Sequence, residues 1–319
     1  MVSYKKILIA FGVAAPVVMG QRPMNTSICD YYTTALLMNN TAENQMTLLT
    51  LIVNTAVIGN YTQPNVGIMV PGILASGQMQ EGVPVDLLQY FNGSLMSTNV
   101  NGNRGSVNFL DDGGAAPLMM NKPANTNSSA QYFLLTHLYQ YFGALLGCSM
   151  QGTGGVFSGY QGDPSQYQIH KFMNLSKPEM DYFITQVGLS AASFGAATSD
   201  VEAVGMALND TFNMRCSPPT VVIPAQGSQL QAICINPDCP LASGAVCAQY
   251  SMAATMSAMS SGSMSGASAT GSMGAGTSGS AAAGSVPANG GTSAGSVVSV
   301  TLGLFTAAVL CIVGAALVL

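Results

Sequence analysis

The chain contains no tryptophan, only two histidines and few charged residues. Charged side chains make up 7% of its 319 residues, against about a quarter in ordinary globular proteins. Eight Lys and Arg stand against thirteen Asp and Glu, which gives a formal net charge of −5. A nucleic-acid-binding protein needs a basic surface that pairs with phosphates. The shortage of basic residues therefore excludes nucleic acid as the expected partner.

The N-terminus has the pattern of a secretory signal peptide. Lys5 and Lys6 precede an apolar run over 7–18, and the small residue Gly20 closes the segment. A membrane anchor is the weaker interpretation, because about twelve apolar residues are too few to cross a bilayer. We expect residues 1–20 to be a signal peptide and the protein to be secreted.

The C-terminus has the pattern of a glycosylphosphatidylinositol (GPI) anchor signal. Small residues around Asn289 and Gly290 are followed by a polar spacer and a hydrophobic tail, which we delimit as 297–319. A tail-anchored helix would normally carry flanking positive charge, and the sequence has none there. The pattern predicts that the tail is removed and that Asn289 or Gly290 receives the lipid. The expected location is the outer cell surface, on the plasma membrane or in the cell wall.

Residues 251–296 consist largely of Ser, Gly, Ala, Thr and Met and carry no charge. Such a composition predicts a disordered, O-glycosylated stalk. Its five methionines could bind Cu(I) through their thioethers, but compositional bias explains them more simply.

Cysteines and glycosylation sequons agree with secretion. Six cysteines remain without Cys311 of the tail, and three disulfides are expected in an oxidising compartment. Six cysteines allow fifteen pairings, so the sequence leaves the connectivity open. A zinc site is disfavoured because no histidine pair accompanies the cysteines at ligand spacing. The six cysteines are Cys29, Cys148, Cys216, Cys234, Cys239 and Cys247, and the predicted N-glycosylation sites are Asn25, Asn39, Asn60, Asn92, Asn127, Asn174 and Asn209.

The spacing of apolar residues predicts helices in the remaining part of the chain. Helical patterns cover 41–59, 128–147, 178–195 and 199–212, with a short helix inside 162–173. Ser176–Glu179 and Ser199–Glu202 read as capping boxes. Residues 60–127 are rich in Gly, Pro and Asn and are left unassigned. We therefore predict an all-α domain over 21–220 with loop-rich insertions, followed by a disulfide-pinned, Cys-rich extension over 221–250.

Several segments in the second half resemble the truncated haemoglobins. They are 141–147 (Tyr-Phe-Gly-Ala-Leu-Leu-Gly), the turn Tyr160-Gln161-Gly162, His170 and the capped helix at 178–195. The resemblance covers roughly 131–215. It implies a small globin-like helical fold that binds haem b, with His170 as the axial iron ligand, since globin haem iron is held by a proximal histidine.

The resemblance also implies roles for other residues around the haem. His137 would lie on the helix that covers the opposite face, as a distal hydrogen-bond donor to a small diatomic ligand or as a second axial ligand. Phe142, Phe172 and Phe183 would wall the porphyrin. The alternative is that each histidine is a half-buried residue with a backbone partner and that the aromatic residues belong to an ordinary core.

The sequence contains no phosphate-binding loop, His-Glu-x-x-His helix or Gly-x-Ser-x-Gly elbow, so no motif predicts an enzyme. Two hypotheses about function follow. The first is a GPI-anchored surface protein that binds haem, O₂ or NO, or acquires haem. The alternative is a cofactor-free structural or adhesive cell-wall glycoprotein on a degenerate globin-like fold. The sequence identifies no protein partner.

Overall fold

The computed structural model of the chain describes residues 22–62 and 65–251. The predicted signal peptide, the stalk beyond Ser251, the two candidate GPI attachment residues and the hydrophobic tail lie outside the described residues. Within the described ranges, no helix combines the length and the apolar character needed to cross a membrane.

The described part of the chain is rich in helices. Most of them lie where the apolar periodicity predicts them, while the helix that follows Ser27 was not predicted. The helices are α1 (Ile28–Leu37), α2 (Ala42–Ile58), α3 (Leu88–Phe91), α4 (Ala115–Met119), α5 (Ala130–Leu145), α6 (Gln166–His170), α7 (Lys177–Ser193) and α8 (Thr198–Phe212), with a 3₁₀ turn at Pro224–Gln226.

Two short hairpins interrupt the helical pattern, so the prediction of an all-α domain holds only approximately. Strand β1 (Gln78–Gln80) pairs with β2 (Val83–Val85), and β3 (Thr98–Val100) pairs with β4 (Asn103–Gly105), both antiparallel. Both turn residues of each hairpin have positive φ, at Glu81-Gly82 and Asn101-Gly102. This is the backbone of a type I′ turn, for which Asn-Gly is a preferred pair.

Side-chain caps explain where several helices begin. The Thr41 hydroxyl accepts the Asn44 amide at the start of α2. At the start of α7, the Glu179 carboxylate accepts the backbone amide of Ser176 at 2.8 Å, as in a capping box. The predicted second capping box at Ser199–Glu202 is wrong. Helix α8 begins at Thr198, so Ser199 lies inside its first turn. The N-cap residue is Ala197, which has no side chain able to cap, and its amide donates to the Tyr32 hydroxyl.

Helix α2 lies at the centre of the core. It packs against α1, α5 and α7, and α7 packs in turn against α8. Leu48 and Leu49 of α2, Leu135 and Tyr139 of α5, and Leu208 of α8 are almost completely buried in this cluster. The four long helices therefore form one apolar core, with the hairpins attached to its side.

Three disulfides are present, as predicted, and the structure gives their pairing. Cys29–Cys148 joins α1 to the end of α5, Cys216–Cys247 joins the segment after α8 to the C-terminal extension, and Cys234–Cys239 lies within the extension. Tyr167 of α6 and Tyr250 pack with Ala232 in a second small buried cluster. The C-terminal extension is thus held to the helical domain by a disulfide and by apolar contacts with α6.

Candidate functional site

A cavity of about 340 Å³ lies beside the core, between α5, α6, α7 and the α3 segment. Its volume is in the lower part of the range of about 300–1,000 Å³ that is usual for small-molecule sites. The walls are mainly aromatic and aliphatic, with Phe91 from α3, Phe142 from α5 and Met180 from α7 among them. Such a surface suits a largely apolar ligand.

Both histidines of the chain line this one cavity. His137 comes from α5, where Leu134, Leu138 and Tyr141 on the same face also line the cavity, and His170 is the last residue of α6. The fold therefore brings together two imidazoles that are 33 positions apart in the sequence.

The His170 ring is oriented by its own helix. Its Nδ1 lies 2.8 Å from the carbonyl oxygen of Gln166. A carbonyl oxygen only accepts hydrogen bonds, so Nδ1–H donates and Nε2 of the neutral ring keeps its lone pair. Burial lowers the pKa of His170, and the bond to Gln166 opposes this in part. Metal-binding histidines are typically held in this way, with the second nitrogen bonded to a carbonyl or carboxylate.

The His137 ring is surrounded by aromatic groups. It stands edge-on to Tyr160, with ring centroids 5.8 Å apart, and is tilted against Phe133 at 6.5 Å. Burial lowers the pKa of His137, which keeps the ring neutral at pH 7. The residue is half-buried, and its ring nitrogens are not among the buried atoms of the described residues that lack a hydrogen-bond partner. A half-buried imidazole that lines the cavity is accessible to a ligand there.

The tyrosine hydroxyls of the cavity already have partners in the protein. Tyr141 donates to Gln231 at 3.2 Å, Tyr160 donates to the Asp163 carbonyl at 3.0 Å, and Tyr90 donates to Glu179 at 3.3 Å. Burial raises the pKa of both Tyr90 and Tyr141, so they stay protonated. The wall also contains the Glu179 carboxylate, which accepts from the Ser176 amide and the Tyr90 hydroxyl. The two imidazoles are the other ionisable groups of the wall.

The structure separates the three phenylalanines that the sequence groups together. Phe142 and Phe183 line the cavity, as the resemblance implies. Phe172 is not among the described lining residues and packs beneath Arg104 and Lys171. Helix α6 ends at His170, and of the residues that follow it Met173, not Phe172, lines the cavity. Two positions correspond to about 200° of helical rotation, so a side chain two residues after His170 lies on the other side.

Sequence reasoning placed none of Tyr90, Tyr160 and Glu179 at the site, although all three line the cavity; Glu179 was predicted only as part of a capping box. The Tyr160-Gln161-Gly162 turn is part of the resemblance and could have marked Tyr160. Tyr90 follows the β1–β2 hairpin, in the segment 60–127 to which the sequence analysis assigned no structure, and no local pattern connects it with α7. In the described residues no three His, Cys, Asp or Glu side chains form a metal-binding group.

Six of the seven asparagines predicted to carry N-glycans are exposed, and Asn209 is half-buried. Surface exposure is what N-glycosylation of these asparagines requires. The six cysteines that remain outside the tail are all paired. No family model matches the chain, and neither a curated protein nor a solved structure matches it.

Proposed function

We propose that the protein binds haem b in the cavity between α5, α6 and α7, with His170 as the axial ligand of the iron. The observation that carries this proposal is the state of the His170 ring. Its Nδ1 is bonded to the Gln166 carbonyl, and the ring lines an apolar cavity that contains a second imidazole. An oriented, neutral imidazole in an apolar slot is the group with which globins hold haem.

The residues present fit the group. His170 would hold the iron, and Phe142 and Phe183, which line the cavity, would supply an apolar wall for the macrocycle. His137 lines the same cavity, where it would serve as a hydrogen-bond donor to an iron-bound ligand or as a second axial ligand. When bound, the haem supplies an iron that can take up O₂ or NO. The protein's part is to hold the imidazoles neutral, orient His170 and exclude water.

We also propose that the helical core derives from a truncated-globin ancestor. The resemblance at 131–215 covers α5, α6, α7 and α8, which include both histidine-bearing helices. In this interpretation the two hairpins and the disulfide-pinned extension are additions to the globin helices.

The setting that we propose is the cell surface. The ordered part would stand on the Ser- and Gly-rich stalk, with GPI anchorage at Asn289 or Gly290 and glycans at the surface sequons. Three disulfides support passage through an oxidising compartment. At that location the protein would bind haem, O₂ or NO, or take up haem from outside. Release from intact cells by a GPI-specific phospholipase tests the anchor, and retention would contradict it.

A haemin titration of the purified full-length protein tests the site. We expect a shifted Soret band in the wild type, and a loss of haemin affinity of at least about tenfold in His170→Ala, since removal even of groups that support a metal ligand costs about 10- to 100-fold. The His170→Gly variant with added imidazole separates ligation from folding. If His170 binds the iron, free imidazole should restore the spectrum.

Two controls complete this experiment. Lys122→Gln removes an exposed residue that does not line the cavity and should leave the titration unchanged. His137→Ala should retain binding but alter the spectrum. The alternative, a cofactor-free structural or adhesive glycoprotein, predicts no Soret shift in the wild type, or a shift that His170→Ala leaves unaffected. Either result would refute the haem site.

A further inference from the structure

The apolar residues on the surface are unusual in type. Sixteen large apolar side chains are exposed in the part of the chain that the structure describes; eight of them are methionine and two are leucine. The same ranges contain 13 methionines and 21 leucines in all, and methionine is normally among the residues most often buried. The exposed methionines, with exposures from 44% to 100%, are Met24, Met38, Met69, Met79, Met96, Met119, Met120 and Met206.

Apolarity alone does not account for this preference. Leucine and methionine have similar helix propensities, and each replaces the other in protein cores at little cost. A surface selected only to be apolar would therefore expose leucine as readily as methionine. The property that separates the two side chains is the soft, polarisable thioether sulfur. The surface thus presents sulfur rather than apolar area as such.

The exposed methionines make no contribution to the core. None of the eight belongs to the two buried clusters of the described residues, whereas Met46, Met150, Met173 and Met180 all pack in the larger one. Oxidation of a thioether to a sulfoxide makes an apolar side chain polar. At an exposed position water solvates the new oxygen, but at Met180, which is 2% exposed, the oxygen would be buried at a cost. The exposed thioethers are therefore the ones whose oxidation the fold tolerates.

Few other side chains compete with these thioethers for a two-electron oxidant. The chain has no tryptophan. The six cysteines of the described ranges are joined in disulfides, so they present no thiolate, which is the reactive form of cysteine. An oxidant that reaches the described surface therefore meets methionine as its main soft nucleophile.

The distribution of the exposed methionines also favours oxidation over metal binding. They lie before and after α1, before and within β1, before β3, at the end of α4 and in α8. Binding of a soft metal ion needs several sulfur atoms to converge on it, whereas oxidation needs only that solvent reach each sulfur. A set of thioethers spread over so many elements suits the second chemistry.

We propose that the exposed methionines are a sacrificial sink for electrophilic two-electron oxidants of the hypohalous acid class. In the net step with hypochlorous acid, the oxygen–chlorine bond breaks, a sulfur–oxygen bond forms, chlorine leaves as chloride and the proton goes to water. The sulfur is oxidised by two electrons to the sulfoxide, and the chlorine is reduced. The proposal goes beyond the haem function and does not rest on it, because none of the eight residues lines the cavity.

The test titrates the full-length protein with hypochlorous acid, as wild type and as a variant with all eight exposed methionines replaced by leucine. Peptide mass spectrometry locates the sulfoxides, and urea unfolding gives the free energy of unfolding after each addition. In the wild type, the eight residues should be oxidised before Met180, with stability unchanged over that range. In the variant, oxidation of Met180 and loss of stability should begin about eight equivalents per chain earlier. The five stalk methionines are present in both proteins, so their consumption cancels.

Two further variants keep the test decisive. The matched control replaces five exposed valines by leucine, which changes apolar surface without removing sulfur and should keep the wild-type capacity; they are Val66, Val83, Val100, Val156 and Val221. If the eightfold variant does not fold, the triple variant Met24→Leu/Met38→Leu/Met206→Leu replaces it, with an expected shift of about three equivalents.

Three results would overturn the sink. The leucine variants could resist the oxidant as well as the wild type, the wild type could lose stability from the first equivalents, or tyrosines could be chlorinated while the exposed methionines stay reduced. A Soret titration has no bearing on any of these outcomes, so failure of the haem site and failure of the sink are distinguishable.

Discussion

The three disulfides should contribute very unequally to stability. Cys29–Cys148 closes a sequence separation of 119 residues, while Cys234–Cys239 closes one of 5. In the chain-entropy model, the longer loop corresponds to about 5 kcal/mol and the shorter one to about 2 kcal/mol at 25 °C. We therefore expect the double variant Cys29→Ala/Cys148→Ala to lose about 3 kcal/mol more than Cys234→Ala/Cys239→Ala.

The comparison is well matched because all four cysteines are buried, with exposures of 0% and 8% in the first pair and 0% and 2% in the second. The loss of packed sulfur atoms is therefore similar, and the difference reports the entropy of the unfolded chain. Urea unfolding followed by far-UV circular dichroism measures both free energies of unfolding. The unfolded state of the first variant should also expose more surface and give a larger m-value. Equal losses, or a larger loss in the 234–239 variant, would refute the reasoning.

Two further predictions concern the packing of α5, the helix that carries His137, and the titration of the two imidazoles. Gly143→Ala should lower the free energy of unfolding by about 1–3 kcal/mol, because a Cβ there would lie 2.5 Å from the buried Phe157 ring. The control is Gly205→Ala in α8, which has nothing within 4 Å of the added carbon and should be neutral or stabilising in the same urea assay. If Gly143→Ala causes no loss of stability, the packing of Phe157 against Gly143 is wrong. For the apoprotein, the free energy of unfolding should fall as the pH drops below about 6.5. Burial lowers the pKa of His137 and His170 in the folded protein, so the unfolded chain binds more protons than the folded one. The free energy of unfolding should change by at most about 1.4 kcal/mol per pH unit for each ring. Replacing both rings by Phe should flatten that part of the urea-derived pH profile, and an unchanged profile would count against burial of the imidazoles.

The long helices could be predicted because their local signals agree with their packing. Helix α7 has a capping box, Pro178 in its first turn and an apolar stripe, and it begins at Lys177 as these signals require. Helix α8 shows the limit of such reasoning. Its N-cap lies at Ala197, two residues before the predicted cap at Ser199, and the Ala197 amide donates to Tyr32, a residue 165 positions away. A contact of that range leaves no trace in a local pattern.

The hairpins and the cavity were harder to predict for different reasons. Each strand has only three residues, and Pro84 interrupts the apolar alternation of β2, although the Asn101-Gly102 pair was a readable turn signal. The faces of α5 and α7 indicate that Phe142 and Phe183 point inward, but not whether the space between the helices is filled. The position of Arg104 over the Phe172 ring depends on the docking of the β3–β4 hairpin against α6, which is a purely tertiary event.

The polar groups in the cavity wall distinguish it from an ordinary core. The cavity of about 340 Å³ is lined mainly by aromatic and aliphatic side chains, yet both histidines and Glu179 also line it. Burial disfavours the charged form of both imidazoles. A few polar groups that converge in an otherwise apolar pocket are typical of a small-molecule site, and His137 and His170 are therefore the first positions at which a ligand should be tested.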